Sequence, residues 1–182
     1  MSKAIGMVEY RTVSSGIAAA DTMVKTAKIE VIQSSAVCPG KYIIIVTGEL
    51  SAVKASIEAA KQKQPSQMTD SFVLGNPHED IFRAIYGGGE ISDAKALGVL
   101  ETFSVPSMIV AADTAAKASE IKLIELRLAR GLGGRSYMLL TGTVASVEAA
   151  IENARKVIGE DGMLLDYSVI PNPDKSIWQS IL

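Results

Sequence analysis

The chain contains an internal repeat, and this feature constrains its fold more than any other. Ala4-Ile5-Gly6-Met7-Val8-Glu9 returns as Ala96-Leu97-Gly98-Val99-Leu100-Glu101, at an offset of about 92 residues. Later in the copies the offset changes by only a few residues, because Thr47-Gly48 matches Thr141-Gly142. The sequence therefore contains one structural unit that occurs twice.

The repeat divides the 182 residues into two segments, each just long enough to build its own hydrophobic core. We predict a first domain at 4–86, a second domain at 96–182 and a linker at 87–95. The linker includes Gly87-Gly88-Gly89, a run that favours a flexible joint.

Each copy shows the same order of hydrophobic patterns. Apolar runs at Lys3–Tyr10 and Tyr42–Val46 predict strands, and apolar spacings of three and four from Ser15 to Ala27 predict an amphipathic helix. Helical spacing recurs over Ser51–Lys63, and Ser71–Leu74 closes the copy as a strand. We predict an α/β (α+β) fold of two ferredoxin-like β-α-β-β-α-β units, each followed by a short helix.

The composition excludes several classes of protein. The net charge is −2 and the charged residues are interspersed, without the basic patch that a nucleic-acid binder needs. No apolar run approaches the ~18 residues of a membrane span and the amino terminus lacks a signal-like core, so we expect a cytoplasmic protein without membrane contact. The single cysteine excludes both an intrachain disulfide and a metal site built from several cysteines of one chain.

The two copies differ most in the turn between their second and third strands. The first copy reads Cys38-Pro39-Gly40-Lys41, whereas the second reads Gly131-Leu132-Gly133-Gly134-Arg135. Pro39 restricts φ and Gly40 permits a positive φ, so we predict a tight, exposed turn. A lone cysteine is usually an inert apolar residue, but this position predicts an exposed thiol. Any chemistry of the chain is therefore expected here.

The other candidates for catalysis are weaker. His78 is the only histidine and has no nucleophile or base to pair with in the repeat pattern, so we interpret it as structural. The repeated carboxylates Glu9 with Glu101 and Asp21 with Asp113 are interpreted as architectural contacts. The glycine-rich turn of the second copy lacks the third glycine and the following helix of a dinucleotide loop. We do not expect an enzyme.

Ala4–Glu9 and Ala19–Lys25, with a glycine-bearing turn before a buried strand, resemble the bacterial microcompartment shell domain. The second copy repeats these motifs, so the whole chain is similar to a tandem-domain shell protein of that family. The resemblance implies homotrimers that imitate the hexamers of single-domain relatives. It also implies that such trimers tile, with other shell proteins, into the shell of a compartment in the cytoplasm.

The turn itself resembles one subgroup, the propanediol-utilisation tandem shell proteins, in which the pore-turn cysteine binds an iron–sulfur cluster on the threefold axis. The resemblance therefore implies one [4Fe-4S] cluster per trimer, held by Cys38. It also implies that Lys25 and Lys117 are edge lysines that meet neighbouring tiles, and that the second copy departs from the family at Asp174, where the first has His78. The pore-lining residues that it implies are Val37, Cys38, Pro39, Gly40, Gly133 and Gly134.

Trimer symmetry would supply the additional cysteine ligands that one chain lacks. Any residue near the axis of a closed trimer occurs three times, so three Cys38 thiolates would hold three irons and an outside ligand the fourth. Such a tile would serve electron transfer or cluster delivery across the shell, with an encapsulated or cytosolic redox partner. The alternative is a cluster-free tile whose central pore conducts a small metabolite.

Overall fold

A computed structural model describes residues 4–88, 95–160 and 162–181. Most of the predicted linker, 89–94, lies outside the described residues. Among the helices that are described, none is both long and apolar enough to cross a membrane.

The first unit is an antiparallel four-stranded sheet with two helices. Its sheet order is β2-β3-β1-β4, so the first strand lies in the centre and the second and fourth lie at the edges. A single turn of 3-10 helix precedes the last strand. The elements are β1 (Ala4–Tyr10), α1 (Val13–Thr26), β2 (Glu30–Val37), β3 (Lys41–Gly48), α2 (Leu50–Lys63) and β4 (Met68–Leu74).

The second unit has the same topology, with the sheet order β6-β7-β5-β8. The predicted fold of two tandem α+β units, each followed by a short helix, is confirmed. The remaining elements are α3 (Glu79–Ile85), β5 (Ala96–Thr102), α4 (Val105–Ala118), β6 (Ile121–Leu128), β7 (Ser136–Gly142), α5 (Val144–Gly159), β8 (Leu164–Pro171) and α6 (Lys175–Ile181).

The helix that follows the first sheet lies with the second unit. The change from the first compact unit to the second falls between Pro77 and His78, and Gly131–Gly133 is grouped with the first unit. The reason is packing, because α3 lies against β6 and α4. The compact units therefore differ from the repeat-based range of 4–86, which had kept α3 with the first sheet.

The core of the first unit lies between one face of its sheet and the helices α1 and α2. Because side chains alternate along a strand, every second residue of β1 and β3 points toward the helices. Tyr10 is fully buried there, and its hydroxyl donates to the Ala60 carbonyl oxygen at 2.6 Å. The buried members of this core are Ala4, Val8, Tyr10, Ala19, Met23, Tyr42, Ile44, Val46, Val53, Ile57 and Ala60.

At one pair of contacting core positions, the large and the small side chain are on opposite partners in the two units. In the first unit Gly16 packs against Tyr42, and a Cβ at Gly16 would clash with the ring. Strand register places Tyr42 opposite Tyr10, and Ser136 opposite Thr102. Ser136 is thus the counterpart of Tyr42, a register that agrees with the match of Thr47-Gly48 to Thr141-Gly142 in sequence.

The position that corresponds to Gly16 is Met108, which is fully buried. We expect Gly16→Met alone to destabilise the first unit by about 3 kcal/mol, since the ring of Tyr42 occupies the space that the new side chain needs. Tyr42→Ser alone should cost a similar amount by leaving a cavity. The double variant should recover at least about 1 kcal/mol relative to the sum of the singles. Urea unfolding of the four proteins measures this coupling, and strict additivity would contradict it.

Ser136 itself carries a second prediction. Its hydroxyl is buried and has no hydrogen-bond partner among the described residues. Removing an unsatisfied buried hydroxyl relieves its desolvation penalty, so Ser136→Ala should raise the free energy of unfolding by about 1 kcal/mol. The matched control is Thr141→Val, which removes a buried hydroxyl that donates to the Ala96 carbonyl oxygen at 2.8 Å and should lower stability. Equal changes in the free energy of unfolding for the two variants would contradict the assignment of the Ser136 hydroxyl as unsatisfied.

Candidate functional site: the turn at Cys38

The turn that carries Cys38 joins β2 to β3. It is closed by a hydrogen bond from the Gly40 backbone N–H to the Val37 carbonyl oxygen, with a donor–acceptor distance of 3.0 Å. The peptide bond between Cys38 and Pro39 is cis, and Gly40 has a φ of +92°. Cys38 is exposed and is not in a disulfide. The predicted tight turn with an exposed thiol is thus present.

The predicted pore-lining residues of this turn differ in their exposure to solvent. Cys38, Pro39 and Gly40 are exposed, whereas the Val37 side chain is only 5% exposed. Val37 therefore packs into its own unit and offers mainly its backbone to anything outside. The thiol is the one reactive side chain at the tip of the turn.

The corresponding turn of the second unit is longer and lies between β6 and β7. Ala129, Gly131, Gly133 and Gly134 all have positive φ. Glycine adopts this conformation without steric cost, which explains why the segment is rich in it. A Cβ at Gly131 or Gly133 would meet no atom within 4 Å, so backbone conformation and not space requires these glycines.

A charged contact anchors the exit of the Cys38 turn. The Lys41 ammonium donates to Glu9 Oε1 at 2.7 Å, and the Thr69 hydroxyl donates to the same oxygen at 2.6 Å. Glu9 is buried at 6% exposure, so this ion pair is better shielded from water than a surface pair. The pair ties the first residue of β3 to the central strand and holds the base of the turn.

A second carboxylate, Asp70, lies beside this ion pair. Burial raises the pKa of the Asp70 carboxyl, the Ser71 backbone N–H lowers it, and the Glu9 carboxylate raises it again. Sequence reasoning interpreted Glu9 as architectural but did not find its partners. The sequence signal that could have indicated a partner is Glu9 itself, a carboxylate within the otherwise apolar strand β1.

One chain offers one metal ligand at this site. Within residues 4–88, 95–160 and 162–181, no group of three or more His, Cys, Asp or Glu side chains is placed to hold a metal ion. Cys38 is the only cysteine of the sequence. Its exposed position suits a metal–thiolate bond, but the other ligands would have to come from other molecules.

The predicted edge lysines lie in the last turn of equivalent helices. Lys25 of α1 pairs with Asp21 at 2.7 Å, and both side chains are exposed. Lys117 of α4 pairs with Asp113 at the same distance, but Asp113 is only 7% exposed. Asp113 also accepts the backbone N–H of His78 at 2.8 Å. The repeat alone did not reveal this second bond.

The role of His78 is visible in the same region. It is the N-cap of α3, and its Nδ1 accepts the Asp80 backbone N–H at 3.3 Å. Capping satisfies a backbone donor at the start of the helix. The contacts of His78 are structural, as interpreted from the sequence.

Comparison with known proteins gives the family. The model of the BMC domain matches residues 4–77 and again 96–173. The chain belongs to the BMC-domain family. It is a tandem-domain shell protein of bacterial microcompartments, and the predicted resemblance is confirmed.

Full-length relatives support this assignment. The chain is 37% identical to the bacterial microcompartment shell protein PduT of Citrobacter freundii, over 100% of this chain and 99% of the relative. A crystal structure of a microcompartment protein from Desulfitobacterium hafniense DCB is 41% identical and has a TM-score of 0.94. That likeness covers 98% of this chain and 99% of the other. The carboxysome assembly protein CcmO of Synechococcus is 25% identical over 98% of this chain and 68% of the relative.

These relatives are shell and assembly proteins, which agrees with a structural role. The family places the protein in the shell of a bacterial microcompartment within the cytoplasm, as predicted.

Proposed function

We propose that this shell protein forms a homotrimeric tile in which three Cys38 thiolates hold one [4Fe-4S] cluster at the central pore. The observation that carries the proposal is the exposed thiol at the tip of the β2–β3 turn. Its counterpart in the second unit is a turn rich in glycine, so each chain contributes one thiolate. The identity to the shell protein PduT over the full chain supports the shell-tile part of the proposal.

The thiolate ligands that such a cluster needs are present only when several copies of the chain are combined. Thiolates are the usual ligands of iron–sulfur clusters, and three of them leave one iron to an outside ligand. When bound, the cluster supplies a redox centre that accepts and releases one electron. The chain's own residues hold the thiolates in place, through the Gly40–Val37 hydrogen bond and the Lys41–Glu9 ion pair at the base of the turn.

A cluster in the pore of a tile would connect the two sides of the shell. We propose electron transfer across the shell as its use, with a redox partner in the compartment or in the cytosol. Delivery of the cluster itself is the other use that this location permits. Both uses require the protein to bind other shell proteins at the edges of the tile.

The test is anaerobic reconstitution of the full chain with iron and sulfide. We expect a brown protein that absorbs at about 400 nm, with about four irons and four sulfides for every three chains. Electron paramagnetic resonance of the reduced sample identifies the cluster type, and light scattering gives the mass of the assembly. A trimer that takes up no iron would overturn the cluster and leave a pore for a small metabolite. A single-chain mass at micromolar concentration would overturn the trimer.

A further inference from the structure

Strand register identifies the residue of the second unit that takes the place of Cys38. Two equivalent cross-strand pairs fix the register, Ala36 with Tyr42 and Leu128 with Ser136. Cys38 lies two residues after Ala36. Arg130 likewise lies two residues after Leu128. The position that carries a thiol in the first unit therefore carries a guanidinium in the second.

The burial of the two segments agrees with this register. Val37, the residue before Cys38, is 5% exposed, and Ala129, the residue before Arg130, is fully buried. Cys38 and Arg130 themselves are both exposed. The second turn is longer by two residues, and these follow Arg130 in the chain. They lengthen the turn without displacing Arg130 from the end of β6.

The positive charges of the two turns have different surroundings. In the first unit the Lys41 ammonium is balanced by the buried carboxylate of Glu9, at 2.7 Å. Register places Arg135 at the position of Lys41 and Glu101 at that of Glu9. Within the described parts of the chain, however, neither Arg130 nor Arg135 forms a side-chain hydrogen bond or an ion pair. The charge of Lys41 is thus balanced locally, whereas that of Arg130 is not.

Arg130 also adjoins the compact unit that carries Cys38. Gly131–Gly133, which follow Arg130 directly in the chain, are grouped with that first unit. The net charge of the chain is −2, so an unbalanced cation at this turn does not reflect a general excess of basic residues. Its position next to the proposed cluster site calls for an explanation in terms of that site.

We infer that Arg130 raises the reduction potential of the cluster held by Cys38. In the proposed trimer six equivalent turns surround the axis, and equivalent positions alternate between the thiolate of Cys38 and the guanidinium of Arg130. Each thiolate then has a cation on either side. The inference rests on the proposed function, since it requires both the trimer and the cluster.

The sign of the effect follows from the charges. Three thiolates bring negative charge to the axis, and reduction by one electron from the redox partner adds a further negative charge there. A nearby cation stabilises the more negative state, so it raises the reduction potential. The guanidinium suits this role because it stays protonated at every working pH. Arg130 is not a ligand of iron and acts through its charge alone.

The first test compares the reduction potentials of reconstituted wild type, Arg130→Gln and Arg130→Lys. Titration with dithionite and redox mediators, followed by electron paramagnetic resonance, gives each midpoint. At the wild-type midpoint the ratio of reduced to oxidised cluster in Arg130→Gln should fall by about tenfold, which is a potential about 59 mV lower. Arg130→Lys keeps the charge and should stay close to the wild type.

The matched control for this titration is Lys54→Gln. Lys54 is exposed on α2, which begins after the end of β3 that is remote from the Cys38 turn. The control removes the same charge and should leave the midpoint unchanged. A midpoint that stays at the wild-type value in Arg130→Gln, or that falls equally in Arg130→Lys or in Lys54→Gln, overturns the inference.

Iron content separates the inference from the function on which it rests. A wild type that binds no iron overturns the proposed cluster and the role of Arg130 with it. Full iron with an unchanged midpoint in Arg130→Gln overturns the role of Arg130 alone. Iron that is lost from Arg130→Gln but kept in Arg130→Lys supports charge balance at the axis, whereas iron lost from both overturns it.

The second test moves the thiol to residue 130. The Cys38→Ala, Arg130→Cys protein again has one thiol per chain, now at the equivalent position of the second unit. We expect its iron and sulfide to return to at least about half of the wild-type content, because three thiolates again surround the axis. The control, Cys38→Ala with Lys54→Cys, has the same number of thiols and should bind none. No iron in the first protein, or equal iron in both, overturns the placement of Arg130 at the axis.

Discussion

The Cys38→Ala protein is expected to bind no iron and no sulfide while assembling as the wild type does. Cys38 supplies the only thiol of the chain, so its removal deletes every thiolate at the proposed axis. The turn should survive, because it is closed by the Gly40–Val37 hydrogen bond and anchored by the Lys41–Glu9 ion pair, neither of which involves sulfur. Folding and cluster binding should therefore separate.

The measurement compares iron, sulfide and mass for wild type, Cys38→Ala and Cys38→Ser after identical reconstitution. The serine variant keeps the size and polarity of the site but lacks the thiolate that binds iron. Cluster binding should also slow hydrogen exchange at residues 37–41 of the wild type alone. Equal iron in wild type and Cys38→Ala would show that the metal is bound elsewhere and would remove the cluster from this turn.

Reversing the charge of both predicted edge lysines should abolish extended sheets and shell incorporation while the proposed trimers remain. Lys25 and Lys117 lie at the ends of α1 and α4, and each pairs with a carboxylate one turn earlier. A lysine stem can lie along a neighbouring tile while its ammonium reaches that neighbour's carbonyl oxygens. Glutamate at both positions removes these donors and adds repulsion between tiles.

The two lysines do not have the same surroundings, so the variants are made separately and together. Lys117→Glu places a second carboxylate beside the buried Asp113, and Lys117→Gln is included because it removes the charge without that repulsion. The control is Lys156→Glu on α5, since Lys156 is exposed and forms an i,i+4 pair with Glu152. Electron microscopy of sheets and light scattering of trimers provide the readouts. Unchanged sheets from Lys25→Glu with Lys117→Gln would show that these residues are not at the tile edge.

The amino-acid sequence by itself determined the architecture of each unit. The repeat, the strand and helix periodicities and the turn residues around Cys38 are local patterns, and they specify element order and turn position without knowledge of distant contacts. The same patterns led to the BMC-domain family. Runs that are apolar throughout, such as Tyr42–Val46 and Tyr137–Leu140, do not by themselves specify strand register, which the pairing of Tyr10 with Tyr42 and of Thr102 with Ser136 shows.

Only the tertiary structure decided where the repeats stop being equivalent. The sequences of α1 and α4 predict the same face, yet Ile17 is exposed and Ile109 is buried. In the second unit α3 packs on β6 and α4, a contact between segments that are distant along the chain. Periodicity reports which side of a helix is apolar, but it does not report what covers that side. That is decided by packing, and it is why the exposure of Ile17 on α1 and of Ile177 on α6 became visible only in three dimensions.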